Sequence, residues 1–300
     1  MQPFADRLHQ RCRNLRSAVV VGLDPKPNLL STQQERAGAA STRALAKSYI
    51  AFARDVVDAV ADVALAIKVQ VACYEALGLP GIRAYVETIR AIKARGIPVI
   101  GDIKRGDIGI SSSGYLDGHF GPIASKGGYD ADAVTLSPYL GFDTIEPWMK
   151  ACSSGGKGLF LLVRTSNPSA RDLQDLTVDG APLYASVARL VDQWGAAVRG
   201  SSGYSSIGAV VGATYPAELL SIRRAHPSLW ILVPGYGAQG GTAADVAPAF
   251  DSDGAGLLVS SSRGILAAYR ESEKLGLNAI EHVRRAATSM RDDLLAAWKR

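Results

Sequence analysis

The chain has few of the residues that mark metal centres or disulfide scaffolds. Its 300 residues include only three cysteines and four histidines, and neither type occurs at CxxC, HExxH or another zinc-binding spacing. No apolar run approaches the roughly 18 residues that a transmembrane helix needs, and the first 16 residues lack the apolar stretch of a secretory signal. We therefore expect a soluble, cytoplasmic protein with no metal site and no membrane partner.

Charge of one sign is not in large excess either. The 33 basic and 28 acidic residues are interleaved and leave a formal net charge of +5. No basic tract with interleaved aromatic residues occurs, so we expect no nucleic-acid partner. Hydrophobic residues make up 47% of the chain and aromatic residues 7%, which is a globular composition. An anionic small molecule explains the mild positive bias equally well.

Eight short apolar runs, rich in β-branched residues, alternate with helical stretches. They lie at 18–24, 64–70, 97–104, 131–137, 158–165, 206–213, 229–235 and 254–260. Such continuously apolar runs predict strands that are buried on both faces, as in a parallel sheet covered by helices. Eight strand–helix repeats favour an α/β fold of the (β/α)8 TIM-barrel type over a six-stranded open sheet.

The stretches between the runs are patterned as amphipathic helices. Apolar residues fall on one stripe at 41–62 and at 81–95, and residues 1–16 are interpreted as a first helix. Asn278, three residues before Glu281, predicts the start of a last outer helix. We therefore expect one domain over 1–300, a barrel with an N-terminal and a C-terminal helix. No fold is predicted for the extra residues at 25–45, 110–130 and 166–185.

Charged residues collect at the predicted carboxyl ends of the first three strands. Asp24 follows the first strand, Lys68 lies near the end of the second, and the third ends in a DIKRGD segment with Asp102, Lys104 and Asp107. Asp102 and Lys104 are two residues apart, so both side chains point to the same face of a strand. A lone pair of this kind is commonly structural. Barrel enzymes, however, place their active sites at this end of the strands, so the cluster predicts a catalytic site.

Two glycine-containing segments predict a phosphate site. They are PGYGAQGG at 234–241, after the seventh strand, and SSSRG at 260–264, after the eighth. This is the usual phosphate position of a barrel, where backbone N–H groups and the Arg263 guanidinium can contact one dianion. The first segment also satisfies GxGxxG, but it follows the seventh strand and lacks an acidic residue about 20 positions on. An NAD site is therefore not expected.

Uncharged polar residues follow the fourth and fifth strands. They lie at 135–139 and 164–168. Hydroxyl groups there could contact a flat heterocycle, although serine and asparagine before proline commonly form turns. Both interpretations stay open.

Taken together, these segments resemble the orotidine 5′-monophosphate decarboxylase family. DIKRGDI resembles the DxKxxDI signature, and VGLDP, IKVQ, RTSNP, PGYGAQGG and SSSRGI follow the family's order over about 19–266. The length and the KRGDIG, SPYLG and TSNP wording are similar to the longer bacterial branch. The resemblance implies a carboxy-lyase that converts orotidine 5′-monophosphate to uridine 5′-monophosphate and CO₂ in pyrimidine biosynthesis, without a cofactor.

The resemblance also implies a role for each matched residue. Asp24 and Lys68 would bind the ribose hydroxyls, while Asp102 and Lys104 would stand at the scissile carboxylate and C6, with Lys104 as the proton donor. Asp107 is expected to enter the neighbouring subunit's site, which implies a homodimer with shared active sites. The other expected substrate contacts are Ser111, Ser166 to the pyrimidine, Gln239 and Arg263 to the phosphate, and Gly264. Ser111 and Ser262 stand where many members have threonine and glycine.

Two alternatives remain at this point. Sugar-phosphate lyases of the same suprafamily share DxKxxD and use Mg²⁺ with an enediolate, but they carry an acidic metal ligand on the second strand, where this chain has Lys68. A non-catalytic nucleotide-binding protein would need the phosphate segments alone. It would not need to hold the Asp102, Lys104 and Asp107 charges together.

Overall fold

The computed structural model describes residues 1–122 and 127–299. Eight parallel strands close into a barrel. They are β1 (Val19–Leu23), β2 (Ala66–Gln70), β3 (Val99–Arg105), β4 (Ala133–Leu136), β5 (Gly158–Arg164), β8 (Ile207–Val211), β9 (Ile231–Pro234) and β10 (Leu257–Ser261). Around the barrel they follow the order β1-β10-β9-β8-β5-β4-β3-β2. Each predicted run contains one strand to within a residue, so the predicted TIM barrel is confirmed.

Thirteen α-helices lie within the described residues. They are α1 (Phe4–Leu15), α2 (Thr32–Gly38), α3 (Thr42–Val60), α4 (Val71–Glu75), α5 (Gly78–Ala94), α6 (Gly109–Phe120), α7 (Glu146–Gly155), α8 (Arg171–Gln174), α9 (Leu183–Gly195), α10 (Pro216–Ala225), α11 (Ala243–Val246), α12 (Arg263–Leu275) and α13 (Ala279–Trp298). Asn278 caps α13, since its side chain accepts hydrogen bonds from the backbone N–H groups of Ile280 and Glu281. None of these helices combines the length and apolar character that crossing a bilayer requires.

The three extra segments have structure that the sequence pattern did not predict. Residues 25–45 hold a 3-10 turn, α2 and the start of α3, and 166–185 hold a 3-10 turn, α8 and a two-stranded hairpin. The hairpin pairs β6 (Thr177–Val178) with β7 (Ala181–Pro182) in antiparallel register. Within 110–130, α6 ends at Phe120, and residues 123–126 lie outside the described part of the chain.

The barrel interior is an apolar cluster that α1 closes from below. Each barrel strand contributes one buried residue to this interior cluster: Val20, Ala66, Ile100, Ala133, Phe160, Val210, Leu232 and Leu258. Phe4, Ala5 and Leu8 of α1 join the same cluster. A Cβ at Gly158 would lie 2.2 Å from the Phe4 ring, so only glycine lets α1 pack this closely against β5.

Strand alternation carries polar groups to the opposite end of the barrel. Side chains two residues apart share a face of a strand, so Lys68, Asp102 and Thr135 stand directly above Ala66, Ile100 and Ala133. On β5, β9 and β10 the same step leads to Leu162, Pro234 and Ser260, and all six residues line one cavity. The apolar interior therefore forms the floor of a partly polar site at the carboxyl ends of the strands.

We predict that Phe4→Ala lowers the free energy of unfolding by about 3–5 kcal/mol, because it removes a buried ring that the barrel floor cannot refill. Urea denaturation followed by circular dichroism measures this loss. Leu79→Ala is the matched control, since Leu79 is 79% exposed, and it should stay within about 0.5 kcal/mol of the wild type. Equal effects in the two variants would show that α1 does not seal the barrel.

Candidate active site

A cavity of about 820 Å³ opens at the carboxyl ends of the strands, which is in the range of small-molecule sites. Seven of the residues predicted for the site line it: Asp24, Lys68, Asp102, Lys104, Ser166, Gln239 and Arg263. Lys26, Asn28, Gln70, Thr135 and Gln174 line it as well. The structure therefore gathers residues from strand ends that are far apart in the sequence into one pocket.

The Asp102 carboxylate is the centre of this pocket. Lys68 Nζ donates to Asp102 Oδ2 at 2.7 Å and Gln70 Nε2 donates to the same oxygen at 3.0 Å. Thr135 Oγ1 donates to Asp102 Oδ1 at 2.9 Å, and Lys104 Nζ pairs with that oxygen too. Asp102 is only 4% exposed, so these four donors replace the water that an exposed carboxylate would have.

A bulge in β3 brings Lys104 to this carboxylate. The pairing of β3 with β4 jumps from Gly101 opposite Val134 to Arg105 opposite Leu136, and Lys104 adopts a left-handed backbone with φ 47°. Thr135 Oγ1 accepts the backbone N–H groups of Ile103 at 3.0 Å and Lys104 at 3.1 Å. Asp102 and Lys104 do share a face, as predicted, but a bulge rather than regular alternation places them there.

The charges in this cluster stabilise one another. Burial alone would raise the pKa of Asp102, but the ammonium groups of Lys68 and Lys104 outweigh burial and hold that pKa well below its usual range. Burial alone would lower the pKa of Lys68, but the carboxylates of Asp102 and Asp24 raise it above its usual range. Asp102 and Lys68 are therefore both charged at neutral pH.

Asp24 lies on the wall of the pocket beside Lys68. Its Oδ1 is shielded from solvent and accepts no hydrogen bond from the described residues, although Lys68 Nζ lies 3.7 Å away. The Asp24 side chain as a whole is 30% exposed. Its accessible part can accept a hydrogen bond from a hydroxyl group of a bound ligand.

The opposite side of the cavity is built for an anion. Gly235, Gly237 and Gly240 all have positive φ, and the loop closes on itself where Gly237 N–H donates to the carbonyl of Gly241 at 2.8 Å. Next to it α12 begins at Arg263, and the Ser262 side chain does not cap it. The first N–H groups of a helix attract anions when no side chain occupies them. The GxGxxG match at 235–240 directly follows β9 of the closed barrel. It does not lie in the open sheet of a dinucleotide-binding fold.

Three predicted residues lie outside the wall of this cavity. Asp107 is half-buried at the end of β3, where its Oδ1 accepts the Ile108 N–H at 2.9 Å. Ser111 is exposed on the first turn of α6, and Gly264 is exposed on the first turn of α12. Within one chain, the geometry brings none of these three to the Asp102 cluster.

Sequence reasoning missed two residues that hold Asp102. The sequence pattern suggests a contact between the Thr135 hydroxyl and a heterocycle, yet this hydroxyl donates to Asp102 and accepts the backbone N–H groups of Ile103 and Lys104. Gln70 stands two residues after Lys68 on β2, so the alternation that identified Asp102 and Lys104 also places Gln70 on the Lys68 face. The two-residue spacing between Lys68 and Gln70 is therefore enough to predict that both side chains lie on the same face of the strand.

Comparisons with known proteins identify the family. The sequence profile of the orotidine 5′-phosphate decarboxylase / HUMPS family matches residues 17–276. The chain is 40% identical to an orotidine 5′-phosphate decarboxylase from Rhodopirellula baltica over 91% of both chains. It is 39% identical to one from Clostridium perfringens over 98% of this chain and 99% of the other. The chain therefore belongs to this family.

A solved structure agrees with the sequence relatives. The Leishmania donovani OMP decarboxylase is 31% identical, superimposes with a TM-score of 0.78, and matches 100% of both chains. The fold of this chain is thus similar to that of a solved family member over its full length.

We predict that Asp102→Asn lowers the free energy of unfolding by roughly 3 kcal/mol, because it leaves the Lys68 ammonium buried without its main counter-charge. The depressed pKa of Asp102 adds stability that is fully present above the unfolded pKa of about 3.9 and is lost as the pH falls towards the folded value. The pKa of Lys68 is raised in the folded state, so the stability that its charge adds is present below the unfolded pKa of about 10.4 and is lost only at higher pH.

The difference between wild type and Asp102→Asn should therefore be fully present at neutral pH and shrink as the pH falls below about 4. Urea denaturation from about pH 7 downwards measures it. A difference that stays unchanged below about pH 4 while the protein is still folded would contradict the charge assignment.

Proposed function

We propose that this protein decarboxylates orotidine 5′-monophosphate to uridine 5′-monophosphate in the cavity around Asp102. The observation that carries this proposal is a buried carboxylate held between two ammonium groups, Lys68 and Lys104, at the mouth of a barrel. Family membership supports the same reaction.

The charges of the cavity suit a nucleotide monophosphate. Its charged lining residues are Lys26, Lys68, Lys104 and Arg263 together with Asp24 and Asp102, a formal excess of two positive charges. The phosphate binds between the glycine loop and the start of α12, with Gln239, Arg263 and the Gly264 N–H as contacts. Asp24 and Lys68 bind the ribose hydroxyls, and Ser166 contacts the pyrimidine.

Loss of CO₂ from C6 of the uracil ring leaves a carbanion without an adjacent carbonyl to delocalise it. Lys104 stabilises that charge electrostatically, by about 4 kcal/mol at 4 Å and an effective dielectric constant near 20. Its ammonium then donates a proton to C6. Asp102 faces the departing carboxylate, and its charge raises the energy of the bound substrate, which binding of the phosphate and ribose offsets.

The local structure argues against the two alternative functions. A Mg²⁺-dependent lyase needs an acidic ligand on the second strand, whereas this chain places the Lys68 ammonium there, 2.7 Å from Asp102, and a cation repels Mg²⁺. A protein that only binds nucleotides has no use for the left-handed Lys104 backbone, a conformation that costs about 1–3 kcal/mol.

We predict that Lys104→Ala reduces turnover of orotidine 5′-monophosphate at least about a thousandfold, because it removes both the cation and the proton donor. The decrease in ultraviolet absorbance follows the reaction, and EDTA should leave the wild-type rate unchanged. Lys274→Ala, on the exposed last turn of α12, is the matched lysine control and should keep full activity. No turnover by folded wild-type protein would refute the function, and inhibition by EDTA would favour the lyase.

The position of Asp107 supports a homodimer with shared active sites. It lies outside its own cavity and is followed by the exposed Ile108 and Ile110, at 58% and 93% exposure. The loop after β4, whose Ser137 lies against Gly106, exposes three more large apolar side chains: Tyr139, Leu140 and Phe142. Exposed apolar side chains in such number favour an interface. Around a two-fold axis, this face meets its own copy and carries the partner's Asp107 to the Lys104 of the first chain.

We predict that Lys104→Ala and Asp107→Ala, each inactive alone, regain roughly a quarter of the wild-type rate when they are refolded together, because half of the dimers are mixed and each mixed dimer has one intact site. Absorbance assays on the mixture measure the recovery. An inactive mixture that contains mixed dimers would place Asp107 at its own chain's site.

The remaining features support a cytoplasmic enzyme that acts on a small molecule. Cys12, Cys73 and Cys152 are all free thiols, as expected for a reducing compartment. Many of the basic side chains pair with carboxylates, Arg284 with Asp62 and Arg95 with Asp58 among them. They therefore form no free basic surface for a nucleic acid at these positions.

A further inference from the structure

The segment between β5 and α9 lines the cavity with its first residues, at 165–167, and again with Gln174. We propose that Gln174 is a positioning residue that holds the 165–167 loop against the pyrimidine base of the bound nucleotide. It thereby sets the selectivity of the cavity for the nucleotide over ribose 5-phosphate, which lacks the base. This inference rests on the proposed function, because it takes Ser166 as the pyrimidine contact. It adds a role for the 166–185 segment, which the decarboxylation chemistry itself does not use.

Gln174 holds Thr165 by both its backbone and its side chain. Gln174 Oε1 accepts the Thr165 N–H at 2.9 Å, and Gln174 Nε2 donates to Thr165 Oγ1 at 2.8 Å. The Thr165 hydroxyl then donates to Asn167 Oδ1 at 2.7 Å. One side chain thereby orders the residues on either side of Ser166. Gln174 and the three residues at 165–167 all line the cavity.

The helix that carries Gln174 is anchored to the barrel next to it. Asp175 Oδ1 pairs with Arg164 Nη2 at 3.0 Å, and Arg164 is only 2% exposed. The Arg164 guanidinium also stacks over the Tyr215 ring at 3.9 Å and donates to Gln174 Oε1 at 3.4 Å. This buried anchor leaves α8 little freedom, so Gln174 can impose its position on the loop.

Ser166 is confined from the other side by Gly212, the residue that follows β8. A Cβ built on Gly212 would lie 2.9 Å from the Ser166 Cβ and 3.1 Å from its Cα, which is closer than side chains pack. The Gly212 N–H donates to the Arg164 carbonyl at 2.8 Å. Ser166 is therefore held between Gly212 and the Gln174-bound loop, and a change on either side moves it.

This arrangement separates two parts of the ligand. The 165–167 loop lies at the end of β5, whereas Asp24, Lys68 and Arg263 come from β1, β2 and the start of α12. Loosening the loop should weaken contacts to the base and leave contacts to the ribose and phosphate intact. A purely structural role for Gln174 would weaken both kinds of contact together.

The test uses the full-length protein and two ligands. Isothermal titration calorimetry measures the Kd of uridine 5′-monophosphate and of ribose 5-phosphate for the wild type, Gln174→Leu, Gln174→Glu and Gly212→Ala. Asp172→Ala is the control, because Asp172 is exposed on the same helix. Turnover of orotidine 5′-monophosphate by the wild type is measured on the same preparation.

Gln174→Leu should raise the Kd of uridine 5′-monophosphate about tenfold, in the range of lost hydrogen bonds, and change that of ribose 5-phosphate less than twofold. Gly212→Ala should show the same pattern. Gln174→Glu keeps the acceptor for Thr165 and should lose less than Gln174→Leu. Asp172→Ala should match the wild type for both ligands.

Equal weakening of both ligands, or no change for uridine 5′-monophosphate, would overturn the inference and leave the proposed function standing. An equal loss in Gln174→Glu and Gln174→Leu would overturn the positioning role of the Thr165 bond. If the wild type does not turn over its substrate while the ligand difference persists, the proposed function fails and the role of Gln174 is supported.

Discussion

The buried Asp102 carboxylate is the interaction on which the rest of the site depends. A carboxylate that is 4% exposed is stable only with compensating charge and hydrogen bonds, and here Lys68, Lys104, Gln70 and Thr135 provide them. Each of these partners is thereby held in place in turn. The same requirement that stabilises the carboxylate also presents two ammonium groups to the cavity.

The barrel is what makes this cluster possible. Its interior is apolar up to the level of Ala66, Ile100 and Ala133, and the next inward residues of the same three strands are the polar Lys68, Asp102 and Thr135. Closure of the sheet brings β1, β2, β3 and β4 side by side, so their polar residues meet above a dry floor. Low polarity beneath the cluster strengthens every charge interaction within it.

Strain and rigidity are concentrated at the same place. The left-handed Lys104 lies in a bulge whose freed N–H groups are both taken by Thr135 Oγ1. A threonine at this position satisfies the backbone and the carboxylate with a single hydroxyl, which uses its donor and both acceptors. The segment after β5 adds a second rigid element, since Gln174 and Asp175 tie it to Thr165 and Arg164.

Much of this protein is determined by local sequence. The apolar runs define all eight barrel strands, because residues buried on both faces leave a continuous pattern, and Asn278 marks the start of α13 because a cap acts over one turn. The charged strand ends likewise identify Asp24, Lys68, Asp102 and Lys104 as neighbours. Their position follows from the parallel barrel itself.

Only the tertiary structure decided the details that depend on distant contacts. The bulge at Lys104 arises from the pairing of β3 with Thr135 of β4, and the β6–β7 hairpin carries no apolar alternation because it packs at the surface. Asp107, Ser111 and Gly264 match the family motifs, yet within one chain they do not reach the Asp102 cluster. The sequence determines which side chains are present and which of them share a face of a strand. Which hydroxyl group donates to a buried carboxylate depends on contacts between residues that are far apart in the sequence, such as Thr135 and Asp102.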